Sequence, residues 1–489
     1  MNALTPAIAV PDTTLDPGDF GEMRRLGHRM LDEMFDHLEG RRDRPVWRPI
    51  PEETRARMNA PLPWAPSPLA QVYDDFRETI LPFDGGNTHP GFMGWVQGAG
   101  TPVGMLAEML AGGMNANLGG RDHMPIAVER QIVTWMRALF AYPDTADGLF
   151  LTGASQANFV ALHVARTRVC GTAVRQDGLA AHPGLVAYAS AAVHGCVPRA
   201  CEMAGLGTAA LRRIAVDGAE RIDTAALDRQ IAHDKAAGLV PFMIVGTAGT
   251  VNTGAIDDLA AMAEIATRHD LHFHVDGALG ALAMLADDLA PLLAGIERSD
   301  SIAFDFHKWG HVPYDAGFLL VRDGAWQRAA FAAQDAYLTR ADTGLAGGAW
   351  WPCDTGPDLS RGFRALKTWF TLRTYGLAAI GTAIAANCDL AQALAARVGA
   401  HPDLVLLAPV ALNIVCFAYA PGGAAGDGAC NRRIVERLHI AGQVAPSLTL
   451  VDGMPAIRAA FVNHRSTIDD VDRLVAGVLA CGAADACHT

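Results

Sequence analysis

Between residues 101 and 375 short apolar runs alternate with stretches whose apolar residues recur at helical spacing, and this alternation limits the possible folds more than any other feature of the chain. The runs fall at 148–151, 184–188, 242–245, 271–275, 301–306 and 316–321. Strands this short with helices between them predict an α/β domain over 101–375 with a mostly parallel sheet, because a parallel connection must cross the sheet from one end to the other. A long alanine-rich helix is expected over 376–398, then strands at 414–419 and 456–462 and a helix after Thr467, together a smaller α+β domain at 376–489. Ahead of the sheet, residues 1–100 read as an arm. Met23, Leu26, Met30, Leu31, Met34, Phe35 and Leu38 fall on one face of a helix over 20–38, residues 45–68 are proline-rich and expected to be extended, and a second helix is predicted over 69–80. Amphipathic helices need an apolar partner and this arm is poorly equipped to close on itself, so it is expected to pack on a second subunit, making a homodimer.

A chain of 489 residues, 51% hydrophobic and 19% charged, has the composition of a folded globular protein rather than a disordered one. Its 39 basic and 52 acidic residues leave a net charge of −13, which disfavours nucleic acid and anionic membrane surfaces as partners. No apolar run approaches the ~20 residues of a membrane span, and none is expected to cross one. The first basic residue is Arg24, so the N-terminus lacks the charged start of a secretory signal, and a cytoplasmic location is expected. Nine cysteines, scattered and without a C-x-x-C pair, fit free thiols better than a disulfide framework or a zinc site.

Three segments carry chemistry. Thr152-Gly153-Ala154-Ser155 follows a predicted strand and opens a predicted helix, where outward N–H groups and the helix dipole would hold an anion such as phosphate; the same residues also suit an ordinary helix cap. His274-Val275-Asp276-Gly277-Ala278 ends a strand in an acid followed by small residues, so a flat ring could approach and Asp276 could keep a ring nitrogen protonated; a capping aspartate is the plainer alternative. His272 and His274 lie two apart on one strand face with no third ligand in view, and no metal site is expected. Phe304-Asp305-Phe306-His307-Lys308-Trp309 places a lysine among apolar residues, where burial should lower its pKa and suit it to Schiff-base formation; otherwise it is a snorkelling surface lysine. An anion cradle, an acid for a ring nitrogen and an amine, each at a strand end, are together what pyridoxal 5′-phosphate requires.

With these segments, His89-Pro90-Gly91-Phe92, Met105-Leu106-Ala107-Glu108-Met109-Leu110, Arg364-Ala365-Leu366-Lys367 and the stretch from Val462-Asn463 to Thr467 resemble the group II pyridoxal-phosphate-dependent amino-acid decarboxylases. That family includes the aromatic-L-amino-acid and glutamate decarboxylases, and the resemblance runs from about residue 20 to 480. It implies the aspartate-aminotransferase-like fold type I, with Lys308 as the lysine that takes the cofactor aldehyde and Asp276 on the pyridine nitrogen. It further implies Ala154, Ser155 and His307 at the phosphate, His194 stacked on the ring, Thr247 beside it and Ala278 beneath. Tyr337 is similar to the loop tyrosine that helps protonate the carbanion after carbon dioxide leaves. The related aldehyde synthases carry phenylalanine there, so the tyrosine favours plain decarboxylation. Trp95, Val96 and Gln97 align with side-chain pocket positions. Asn117, Gly119 and Arg121 depart from the aromatic-enzyme pattern: Gly119 would leave room for a bulky ring, whereas Asn117 and Arg121 would receive a polar or anionic group. Leu279 and Phe306 depart as well, from a tyrosine and a proline. The expected reaction is α-decarboxylation of an L-amino acid, an aromatic one first, with an acidic, polar or aliphatic substrate as the alternative. Another carbon–carbon lyase or aldehyde-forming reaction on the same fold, or a non-catalytic binding protein, are the rival readings.

Overall fold

All six predicted runs are strands in the computed structural model, which describes residues 14–333, 338–348, 350–423 and 428–486. The described residues form twelve strands. These are β1 (Phe92–Met93), β2 (Asp147–Leu151), β3 (Leu185–Ser190), β4 (Leu211–Ile214), β5 (Val240–Thr247), β6 (His272–Asp276), β7 (Ser301–Asp305), β8 (Gly317–Val321), β9 (Leu404–Leu406), β10 (Ile414–Tyr419), β11 (Ala445–Val451) and β12 (Met454–Ala460). Seven make one sheet in the order β2-β8-β7-β6-β5-β3-β4, parallel except for β8, which runs against both its neighbours. Successive residues point to opposite faces of this sheet. Leu149 and Leu151 join Val160, Val164 and Val197 of the helices Ala154–Cys170 and Cys196–Met203 on one side, while Phe150 joins Phe304, Phe306 and Phe318 on the other. Burial on both faces explains why these strands read as continuous apolar runs.

Parallel register then fixes what meets at the carboxyl edge. Thr247 pairs with Asp276 across β5 and β6, Asp276 with Ala303 across β6 and β7, and Asp305 closes β7 opposite Gly317. At Gly317 an added Cβ would lie 2.3 Å from the Gly153 backbone, so β8 begins in direct contact with the turn that opens the helix Ala154–Cys170.

The second sheet, β1-β11-β12-β10-β9, contains both strands expected after residue 376. Residues 85–100, grouped by sequence with the arm, belong with this body: β1 lies parallel to β11. The motif segments meet here too. Asn463 Nδ2 donates to the His89 carbonyl at 3.0 Å, Ser466 Oγ donates to the Pro90 carbonyl at 2.7 Å, and Lys367 pairs with Glu108. The predicted helix at 376–398 is the second half of a helical stretch Arg364–Ala400, broken at Gly376 where φ is 76°. Contrary to the sequence expectation, this stretch is long and apolar enough to cross a membrane by length and composition. Its Ile380, Ile384, Leu394 and Val398 are instead buried in the chain's own core.

Among the described residues, 14–44 together with Ile50–Asp84 form a separate compact unit. Asp19 caps the helix Phe20–Glu39 by accepting from the Gly21 N–H at 2.7 Å. Glu33 on that helix accepts from Tyr73 Oη at 2.8 Å and pairs with Arg77 at 2.7 Å on the helix Leu69–Thr79. The proline-rich segment is less extended than expected, since Glu52–Arg57 is a short helix started by Pro51 at its cap.

One buried ion pair ties β2 to its surroundings. Arg361 pairs with Glu129 at 2.5 Å, both nearly inaccessible, and donates to the carbonyls of Leu118 and Phe150 at 2.9 Å each. Breaking such a pair strands a charge. Arg361→Met is expected to destabilise the protein by about 3–5 kcal/mol, read as a lower urea midpoint, and an unchanged midpoint would contradict this account.

Candidate active site

The edge formed by Thr247, Asp276 and Asp305 opens into a cavity of ≈ 360 Å³. Ten of the candidate site residues line it, Trp95, Val96, Gln97, Ala154, Ser155, His194, Thr247, Asp276, Ala278 and Lys308, and so does Leu279. The strands deliver the last residues of β5 and β6, the turn after β2 delivers Ala154 and Ser155, and the loops after β3 and β7 deliver His194 and Lys308.

Asp276 is 3% exposed. Its Oδ1 accepts from the Ala278 N–H at 3.2 Å, and Oδ2 has the Cys196 thiol at 3.9 Å. Burial pushes its pKa up, and the Ala278 N–H and the Lys308 ammonium pull against that. A capping role would occupy only one of its oxygens, so the second is placed to meet a group in the cavity. Thr247 is positioned by a carboxylate that sequence reading missed: Asp257 Oδ2 accepts from the Thr247 N–H at 2.8 Å while Oδ1 accepts from the Ile222 N–H at 2.7 Å. Thr247 Oγ1 is buried without a hydrogen-bond partner, the kind of orphan a ligand would satisfy.

Lys308 Nζ lies 3.1 Å from Asp305 Oδ2, and Asp305 Oδ1 accepts from the Ala154 N–H at 2.7 Å. The sequence led us to expect a lowered lysine pKa. Burial does act in that direction, but the Asp305 ion pair and the more distant Asp276 outweigh it, and the Lys308 pKa is raised. His307 accepts from the Ala316 N–H at its Nδ1, 3.0 Å away, which leaves the Nε2 proton facing Asp305 Oδ2 at 3.6 Å. Burial lowers the His307 pKa. His194 is exposed, not a core histidine, and its Nδ1 accepts from the Cys196 N–H at 3.2 Å.

Four candidates lie elsewhere in this chain. His307 is not among the residues that line the cavity. Gly119 leaves no room for a substrate ring, because a Cβ there would sit 1.7 Å from the Leu359 carbonyl oxygen. Asn117 Oδ1 accepts from the N–H groups of Gly119 and Arg361 at 2.9 and 3.0 Å, and the Arg121 guanidinium stacks 4.5 Å from the Trp351 ring centroid. Tyr337 lies outside the described residues. His274 spends both ring nitrogens on Ser301 and Asn158, and His272 spends its Nε2 on Ser301.

Cys196, Asp305 and Tyr314 line the cavity without having been anticipated. Asp305 stood inside the lysine segment, and its i,i+3 spacing to Lys308 was the available signal. Tyr314, half-exposed, packs on His307 with ring centroids 4.3 Å apart, a contact made through space and invisible in the sequence.

A buried carboxylate with a spare oxygen, a lysine, an unpartnered hydroxyl and a helix start flanked by small residues fit the pyridine nitrogen, aldehyde, ring and phosphate of pyridoxal phosphate. The site is that of a fold type I pyridoxal-phosphate enzyme. A family model described as the pyridoxal-dependent decarboxylase conserved domain matches residues 51–420. The aromatic-L-amino-acid decarboxylase of Bacillus atrophaeus is 31% identical, covering 92% of this chain and 93% of that protein. The enzyme of the same name from Sus scrofa is also 31% identical, over 86% of this chain and 88% of its own length. The crystal structure of Oryza sativa TDC with PLP and tryptamine superposes with a TM-score of 0.87 at 25% identity, covering 96% of this chain and 99% of that one. The chain belongs to the pyridoxal-dependent decarboxylase family and is a pyridoxal-phosphate-dependent amino-acid carboxy-lyase.

The Asp305 ion pair sets when the Lys308 amine becomes free to react. Asp305→Asn removes the larger of the two carboxylate effects that raise the Lys308 pKa, so the pH at which cofactor-free protein begins to capture pyridoxal phosphate is expected to move down. Stopped-flow absorbance across pH measures it, and an unmoved or rising midpoint would refute the assignment.

Proposed function

We propose that this enzyme converts an aromatic L-amino acid to its amine and carbon dioxide, working as a homodimer in the cytoplasm. The wall of the cavity carries the substrate reading. Trp95, Val96, Val251 and Leu279 offer apolar surface, and Lys308 is the one cation among the described lining residues. An acidic side chain would be desolvated there with no guanidinium to meet it, which is costly. Arg121, the cation expected to serve that purpose, is held on Trp351. An aromatic side chain buries on the order of 150–250 Å² and is stabilised by the same wall. The curated relatives described above, both named aromatic-L-amino-acid decarboxylases, support this reading.

When bound, pyridoxal phosphate supplies the electron sink for the pair left on Cα as carbon dioxide departs. In the proposed roles Asp276 holds a proton on the pyridine nitrogen, Lys308 tethers the aldehyde carbon, and Thr247 Oγ1 hydrogen-bonds at the ring edge. Ala154 and Ser155 hold the phosphate, which requires Asp305 to release the Ala154 N–H it occupies in the free protein. His194 packs on one face of the ring and Ala278 leaves the other face clear. Tyr337 Oη gives Cα the proton that replaces carbon dioxide.

The dimer reading is supported by the arm unit. No residue of the helix Phe20–Glu39 is buried, and Leu62 and Trp64 are 73% and 91% exposed. Eight cysteines among the described residues are free thiols, in keeping with a reducing compartment.

Carbon dioxide release over a panel of L-amino acids tests the substrate class. Tryptophan, tyrosine or phenylalanine is expected to exceed glutamate in kcat/KM by about a hundredfold or more, the scale of one unpaired buried charge; a preference for glutamate would overturn the proposal. For the tyrosine, Tyr337→Phe is expected to divert product from amine to aldehyde, hydrogen peroxide and ammonia in the presence of oxygen. An undiminished amine yield would remove Tyr337 from its role.

A further inference from the structure

Behind the cavity a line of buried polar side chains ends on Asp276, and its donors and acceptors resolve in one direction. His272 and His274 project from the same face of β6, and both reach Ser301 Oγ on β7, at 2.9 Å from Nε2 and 2.8 Å from Nδ1 respectively. On its other side His274 Nε2 lies 2.6 Å from Asn158 Oδ1. An amide oxygen only accepts, so Nε2 carries the proton and Nδ1 must accept it from the Ser301 hydroxyl. Ser301 oxygen in turn accepts from His272 Nε2, and His272 Nδ1 makes no hydrogen bond, with Asp300 Oδ2 3.9 Å away. With Oδ1 committed to His274, Asn158 aims its Nδ2 at Cys196 Sγ, 3.3 Å away, and the thiol is left to donate to Asp276 Oδ2 at 3.9 Å. Burial keeps both imidazoles neutral, with pKa values lowered to about 4 and about 3, and burial beside Asp276 holds the thiol as S–H, its pKa pushed up to about 12. The decarboxylation chemistry described above uses none of His274, Asn158 or Cys196.

We infer that Cys196, oriented by Asn158 and His274, is a positioning residue for the carboxylate that holds the cofactor's ring nitrogen. The inference rests on the proposed role of Asp276. A thiol is a weak hydrogen-bond donor. It points Asp276 Oδ2 into the cavity without satisfying it, so the oxygen stays basic and available for a ring N–H. A hydroxyl in the same place would be a stronger donor and would compete with the ring for that oxygen. The relay behind Cys196 sets the direction of the thiol proton.

Three variants of the full-length enzyme test this, each loaded with pyridoxal phosphate: Cys196→Ser, Asn158→Ala and, as reference, Asp276→Asn. Cofactor affinity is read by equilibrium dialysis, the cofactor's visible absorption band by spectroscopy, and kcat and KM separately. Cys196→Ser is close to isosteric and is expected to fold. It should shift the absorption band and lower kcat by about three- to tenfold, the worth of one hydrogen bond, while leaving KM within about twofold. Asn158→Ala should weaken cofactor binding several-fold by freeing the thiol. A purely packing role for Cys196 would leave the band where it is. If Asp276→Asn changes the band and the affinity while Cys196→Ser leaves band and kcat at the parent values, the inference is overturned and the role of Asp276 stands. If Asp276→Asn changes neither band nor affinity, the role of Asp276 fails and takes the inference with it.

Discussion

The carboxylate of Asp305 joins parts of the molecule that are far apart in sequence. One oxygen takes the first free N–H of the helix that begins at Ala154, and the other takes the Lys308 ammonium, with the His307 ring just beyond. A buried carboxylate is tolerable only where its desolvation is offset by charge and by directed donors, and this one has both. The strand β7 therefore cannot shift along β6 without pulling the lysine from its partner and the helix start from its cap. Register, turn and amine are set by a single group, and the cavity exists between them.

How much of this was visible in the amino-acid order depends on what surrounds each segment. The central strands were legible because both faces are covered, so nearly every residue is apolar. The edge strand β4, paired only with β3, carries Arg212 and Arg213 in its middle and so interrupts the apolar run. Likewise β11 contains Pro446 and Ser447 and exposes Leu450, and β9 is three residues long at a sheet edge. Ala154, Ser155, Asp276 and Lys308 stand at or just beyond strand ends and a helix start, where a local pattern marks a turn, whereas Trp95, Val96, Gln97, His194, Thr247 and Ala278 were reached only through the family resemblance. Gly119 and Arg121 were misread for the opposite reason: what fills the space beside them, Leu359 and Trp351, comes from more than two hundred residues away. The direction of the Lys308 pKa was misjudged because apolar neighbours in sequence conceal an aspartate one turn back that folds onto the amine.

The division of labour in the site follows from where its atoms originate. Groups that would grip the cofactor come from strand ends, a helix start and the first residues of the loops after β3 and β7, close to positions fixed by backbone hydrogen bonding. The wall that would meet the substrate, from Trp95 to Gln97 with Val251 and Leu279, comes from connecting segments. Loops can change side chains without disturbing the ladder of strands, which is why one fold serves decarboxylases of several amino acids.

The meeting of Gly153 and Gly317 gives this division a hard limit. Two backbones touch there with no space for a methyl group, and the strand involved is the one that runs against all the rest. An engineer seeking a new amine product has no freedom at that corner, where any side chain would pry the phosphate end of the pocket open. Retargeting would have to begin at Trp95, a cavity-wall residue 55% exposed in a connecting segment, where a change of side chain does not enter the sheet.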